Sequence, residues 1–133
     1  MQRIAADLGF SETIFLGHGD PPPVRIFTPG REMPFAGHPL VGITWLMREL
    51  GIPTSGRLRC GIGDVTVGYE GEAAWIEVSA ERPVRPVVNP GPIARQLGLA
   101  APLDMAWVDM PIPYLLIELP SADDVASAQF DQE

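Results

Sequence analysis

Hydrophobic positions crowd most densely between Val24 and Gly51, VRIFTPGREMPFAGHPLVGITWLMRELG. The opening VRIF has the β-branched and aromatic content of a buried strand. A loop, TPGREMPFAG, follows and is closed by His38-Pro39; the pattern then predicts a helix over Pro39 to Leu50. Pro39 suits the first helical position, where its missing N–H is not needed and its φ already matches. Gly51 stops the helix and Pro53 prevents a restart. Leu40, Val41, Ile43, Trp45, Leu46, Met47 and Leu50 point in nearly every direction around the axis, and charge enters only with Arg48 and Glu49. A helix apolar on all sides must be enclosed by lipid or by protein. The uncharged run from Met33 to Met47 is short of a bilayer span and holds Pro34 and Pro39. A helix enclosed by sheet is therefore expected.

The flanking patterns are shorter. Met1 to Leu8 reads as a helix ended by Gly9, with Ile4 and Leu8 on one face. Phe10 to Leu16 reads as a strand whose alternation puts Glu12 on one face with Phe10 and Ile14. A carboxylate in such company is out of place, because Glu is rarely buried without a partner. A strand end running into solvent would equally leave Glu12 wet. Gly17 to Pro23 is a turn, with His18 expected in solvent. Beyond the central helix, a strand over Arg57 to Arg59 turns at Gly61 to Asp64. A hairpin then joins Val65–Tyr69 to Ala74–Val78. Glu81 to Pro92 reads as extended and Pro92 to Leu99 as a short helix. Met105–Met110 and Tyr114–Leu119 read as strands, and Ser121 as the cap of a last helix with Asp123 and Asp124 in its first turn. These elements make an α+β chain, expected as a single domain over 1–133.

Charge changes which partners fit. Asp and Glu outnumber Lys and Arg by 17 to 9, which argues against nucleic acid and anionic membranes as partners. An anionic ligand would then have to be held locally, against an unfavourable overall field. The start of the central helix offers such a place: its first N–H groups lack intrahelical partners and its dipole favours negative charge. Gly37 would let a ligand approach the backbone and His38 would add a donor or acceptor. A plain turn glycine and a plain helix cap are the other reading of the same two residues. Cys60 is the only cysteine, so no internal disulfide is expected and a reducing compartment, the cytoplasm, is. The sequence around it, RCGIG, reads as a strand entering a turn rather than a nucleophile's setting. His and Cys lack the close spacing of a structural zinc site. The first residues are amphipathic, unlike a secretory leader.

Two blocks, MQRIAADLGFSETIFL and VRIFTPGREMPFAGHPLVG with its apolar helix, resemble the phenazine-biosynthesis PhzF-like isomerase family, a branch of the diaminopimelate-epimerase superfold. The tail WVDMPIPYLLIELPSADDV is similar to the strand-turn-strand that closes the first lobe of that family. The resemblance implies a strongly curved, barrel-like mixed sheet wrapped around the central helix. It implies Glu12 as general acid/base and His38 as the histidine of the same pocket, with Ser11 and Gly37 binding substrate beside them. The implied reaction removes a proton from carbon in a small carboxylate-bearing substrate and returns it elsewhere, with no metal or organic cofactor. Diaminopimelate epimerases place a cysteine at this helix start. Gly37-His38-Pro39 stands there instead and Cys60 does not match that position, which speaks against a two-thiol racemase.

The family resemblance also sets expectations by what is missing. Family members carry an earlier strand with a Gly-Asn-Pro segment, and a second lobe with its own acidic residue and Gly-Ser-rich helix start; neither is in this sequence. Two readings follow. The chain is an isomerase, or its N-terminal lobe, that associates with itself or with a second-lobe chain. Alternatively it is a non-catalytic ligand-binding or dimerising remnant.

Overall fold

The computed structural model describes residues 1–78, 83–99, 102–110 and 113–129. Its contacts group into two compact units, Met1–Ser79 and Ala80–Glu133.

In the first unit, α1 (Gln2–Leu8) ends on Gly9 at φ 66°, whose N–H closes on the Ala5 carbonyl at 3.1 Å. That left-handed turn is natural for glycine, which has no Cβ to clash. The Gln2 side-chain amide donates to the Thr28 and Pro29 carbonyls, both at 3.0 Å, and so ties α1 to a distant turn. The first sheet is antiparallel, with β1 (Thr13–Leu16), β2 (Val24–Phe27) and β3 (Glu32–Met33) in that order. β1 is shorter than the expected Phe10 to Leu16. Its ladder begins where Thr13 meets Phe27, and beyond Phe27 the partner strand turns away through a Thr28–Arg31 hydrogen bond of 2.9 Å. Residues 10–12 therefore have no strand to pair with. Phe10 is 61% exposed, and Glu12 stands before the strand rather than on it.

The helix α2 runs from Gly37 to Glu49. It starts two positions earlier than the Pro39 expected, which puts Pro39 at the third helical residue. The substitution of Pro for a donor costs nothing there either, because the first N–H groups of a helix have no carbonyl to reach. At the other end the Gly51 N–H reaches the Arg48 carbonyl at 3.0 Å and the Ile52 N–H the Met47 carbonyl at 2.8 Å, with Gly51 at φ 65°. This is the paired closure of a Schellman end.

The second sheet is also antiparallel, β4 (Arg57–Cys60), β5 (Gly63–Glu70) and β6 (Ala73–Glu77). It meets the first sheet at a parallel bridge between Pro23 and Arg59, where the Arg59 N–H donates to the Pro22 carbonyl at 3.0 Å. One core joins both sheets to the helix: Val24 and Ile26 from β2, Leu40, Ile43 and Met47 from α2, and Leu58, Val65 and Val67 from β4 and β5. Polar ties fix the helix on the β5–β6 hairpin. Arg48 donates to the Gly71 and Glu72 carbonyls of the hairpin turn at 3.0 and 2.8 Å, and its guanidinium lies over the Tyr69 ring. The Tyr69 hydroxyl donates to the Thr44 carbonyl at 2.8 Å.

The expectation of a helix enclosed on all sides is not met. Pro39, Leu40, Ile43, Thr44 and Met47 are buried along one face. Trp45 is 47% exposed, Leu46 40% and Leu50 63%. The reason is geometric: α2 packs against β1, β5 and β6, and the strands of two short sheets cover one side of a cylinder. Among the described residues no sheet closes into a barrel.

In the second unit, β7 (Val84–Pro86), β8 (Asp104–Val108) and β9 (Tyr114–Glu118) form another antiparallel sheet in that order. The helix α3 (Gly91–Gln96) is followed by Gly98 at φ 63°. α4 (Ala122–Ser127) is capped by Ser121, whose hydroxyl accepts from the Asp124 N–H at 3.2 Å. Ala94 and Met105 are buried here. Of the extended run expected from Glu81 to Pro92, Val84–Pro86 forms β7 while α3 already begins at Gly91; residues 81–82 lie outside the described residues. Among the described residues no helix is long and apolar enough to cross a membrane.

The one-sided burial of α2 separates two mutations of similar chemistry. Leu40→Ala empties a fully buried site and should cost about 2–5 kcal/mol. Trp45→Ala should cost less than Leu40→Ala in urea titrations despite the larger side chain. An equal or greater loss at Trp45 would mean that its face is covered in solution.

Candidate active site

Glu12 and His38, far apart in the chain, meet in the first unit. β1 packs against α2, so the residue just before β1 lies near the start of that helix. The Glu12 Oε2 atom is 3.0 Å from the His38 Nε2. The two side chains differ sharply in environment: Glu12 is 19% exposed and His38 74%. The contact is at ion-pair distance when the ring is protonated, and the buried Oε2 has no hydrogen-bond partner among the described residues. The Thr13 hydroxyl is likewise buried without a partner. Buried polar atoms in folded proteins are almost always hydrogen-bonded, so adjacent orphans mark this corner as unusual.

The helix start beside them is unguarded. Ala36 takes the N-cap position in an extended conformation, φ −151°, and offers no side chain to the first N–H groups. Those N–H groups belong to Gly37 and His38, since Pro39 has none. A Cβ placed on Gly37 would meet nothing within 4 Å, so the backbone there is open to approach. A carboxylate could bind two successive amides and the positive end of the helix dipole at this point. The structure thus brings Glu12, His38 and the Gly37 backbone to one place. Ser11 is exposed, and among the described residues its side chain makes no hydrogen bond to the pair.

The other candidates resolve differently. His18 is exposed in the turn before Pro23 and lines a separate cavity of about 290 Å³ with Ile52 and Pro53. A cavity of about 520 Å³ lies where the sheets meet and is lined by Arg25, Glu32, Arg59 and Cys60 among others. Its guanidinium groups are already engaged: Arg25 with Glu32 at 2.6–2.7 Å, and Arg59 with Asp64 at 2.8 Å. These pairs, chiefly through their hydrogen bonds, hold the Glu32 and Asp64 carboxyls below the ordinary range. Cys60 is buried, with Sγ 3.6 Å from the Gly63 carbonyl, and burial pushes its thiol pKa up. That disfavours the thiolate a nucleophile needs. Among the described residues no group of three or more His, Cys, Asp or Glu side chains is placed to hold a metal ion. Thr13 went unread in the sequence, since a Thr beside Ile and Phe signals only a strand.

Residues 1–133 match the family model of the PhzC-PhzF, phenazine biosynthesis-like proteins. The chain belongs to this family. An uncharacterized isomerase of Mesorhizobium japonicum is 32% identical over 152 residues, which takes in 100% of this chain and 50% of that protein. A shorter match, 51% over 45 residues, links 32% of the chain to 16% of the trans-2,3-dihydro-3-hydroxyanthranilate isomerase of Pseudomonas fluorescens. Among solved structures, the PhzF-family phenazine biosynthesis protein of Bacillus anthracis superposes with a TM-score of 0.76 at 22% identity, covering 98% of this chain and 49% of that one. A predicted epimerase of Pseudomonas aeruginosa gives 0.73 at 26%, covering 98% and 52%. The α+β fold of this PhzC-PhzF chain is therefore that of PhzF and epimerase-like structures, and the chain spans about half the length of these long matches.

The buried state of Cys60 has a direct consequence. A thiol reagent at pH 8 should label the folded chain slowly and the urea-unfolded chain at the rate of a free cysteine. Equal rates would show that the thiol is neither buried nor raised in pKa.

Proposed function

We propose that this chain supplies the acid/base half of a PhzF-like isomerase that moves a proton on a small carboxylate-bearing substrate without a cofactor. The observation that carries the reading is the Glu12–His38 contact, 3.0 Å, with an unsatisfied carboxylate oxygen beside an uncapped helix start. Glu12 takes the proton from carbon and returns it; a carboxylate bearing no competing hydrogen bond is free to do both. The substrate carboxylate binds the Gly37 and His38 amides, with Ser11 at the rim and the His38 ring against the substrate. That places an anion near a carboxylate base, and the helix dipole offsets their repulsion.

The test uses trans-2,3-dihydro-3-hydroxyanthranilate, the substrate named for the Pseudomonas relatives, in heavy water. Deuterium should enter carbon with the native chain in a complete two-lobed assembly. It should vanish in Glu12→Gln without loss of fold, and fall less in His38→Ala, since the amides still hold the anion. Deuterium incorporation that survives Glu12→Gln removes Glu12 from the mechanism.

The half-length match favours a second reading, a ligand-binding or dimerising remnant; a native chain that binds this compound yet exchanges no proton even when the other half is supplied would establish it. In either case we propose that a second copy, or a chain carrying the other half, covers the bare side of α2 and completes the wrapped, barrel-like lobe, in the cytoplasm. The exposed Trp45, Leu46 and Leu50 support this. Light scattering should then show a species larger than 14.4 kDa at high micromolar concentration; a clean monomer would refute self-association.

A further inference from the structure

The contact between His38 and Glu12 has a feature that a simple catalytic pair does not need. The Glu12 Oε2 atom has no solvent exposure and no hydrogen bond, although an imidazole nitrogen stands 3.0 Å away. The ring therefore lies against the oxygen without bonding to it. It is itself 74% exposed, so little packing holds it in place. Next to it Gly37 has no side chain, and the space a Cβ would take is empty to 4 Å. Among the described residues, moving the ring breaks its contact with Glu12 but no hydrogen bond, and His38 is not part of the core. Solvent-exposed rings of this kind change rotamer on the fast end of protein motion.

We propose that His38 is a movable cover over Glu12: in the resting chain its ring shields the carboxylate oxygen, and rotation of the side chain opens it. The purpose rests on the reading of Glu12 as the proton-transfer group. A shielded base keeps water and stray acids off until the site is occupied, and a substrate carboxylate on the helix amides would compete for the space the ring fills. The ring position itself is independent of turnover and can be tested without it.

The measurement is the rate at which a water-soluble carbodiimide with glycine ethyl ester labels Glu12 in the full chain, read by peptide mass spectrometry. The exposed carboxylates of Asp20 and Glu72 serve as internal references. In the native chain Glu12 should label more slowly than both. If the open state is a minor one of roughly 10%, His38→Ala should speed Glu12 labelling about tenfold, because reaction scales with the fraction open. His38→Phe, which keeps a ring but no ring nitrogen, should stay protected. The exposed position makes all three chains foldable, and far-UV circular dichroism checks it. Glu12 labelling as fast as the references in the native chain would overturn the cover. So would His38→Ala with unchanged labelling, or His38→Phe labelling as fast as His38→Ala. Absence of proton exchange with native His38 and Glu12 in the complete two-lobed assembly would sink the isomerase reading and leave this result standing.

Discussion

One packed face carries the site. Leu40, Ile43, Thr44 and Met47 of α2 are packed against two small sheets that are bridged between Pro23 and Arg59. Side chains at this spacing share one side of a helix, and burying them is what draws β2, β4 and β5 onto a common core. The start of α2 is then held beside the end of the loop that leads into β1. Without that burial neither sheet has a reason to adjoin the other, and Glu12 has no reason to meet His38.

The far end of the helix is secured by different forces. Arg48 spans from the last turn of α2 to the carbonyls of the β5–β6 turn, where its charge also suits the negative end of the dipole. The Tyr69 hydroxyl takes up a helix carbonyl in mid-length. These ties sit opposite the candidate site, so the C-terminal end is anchored while the N-terminal end is left uncapped. With no side-chain cap at Ala36, the first amides of the helix are left without a side-chain acceptor. Buried polar atoms without a hydrogen-bond partner lie nearby, at Glu12 and Thr13. Native proteins tolerate such atoms chiefly where function requires them.

Much of this was legible in the chain itself. Helix stops at Gly9 and Gly51 followed from the left-handed backbone that glycine permits. The hairpin around Gly71 and the Ser121 cap followed from turn and cap chemistry, and the Glu12 and His38 motifs followed from the family they resemble. All of these depend on a few neighbouring residues, and local rules suffice for them.

What failed were statements about neighbours far away in sequence. The apolar content of α2 said that the helix wants cover on every side; how many strands exist to cover it, and on which side, is a property of the whole assembly of sheets. Trp45 and Leu46 are bare for that reason. The reach of β1 was misjudged because a strand extends only as far as its partner does, and Phe27 turns away. The sequence determined the family and, to within a few residues, most of the helices and strands. Only the tertiary structure decided that Glu12 is buried just ahead of its strand, with an unbonded oxygen and an imidazole lying against it. Long-range packing alone can set an angle between side chains so far apart in the chain.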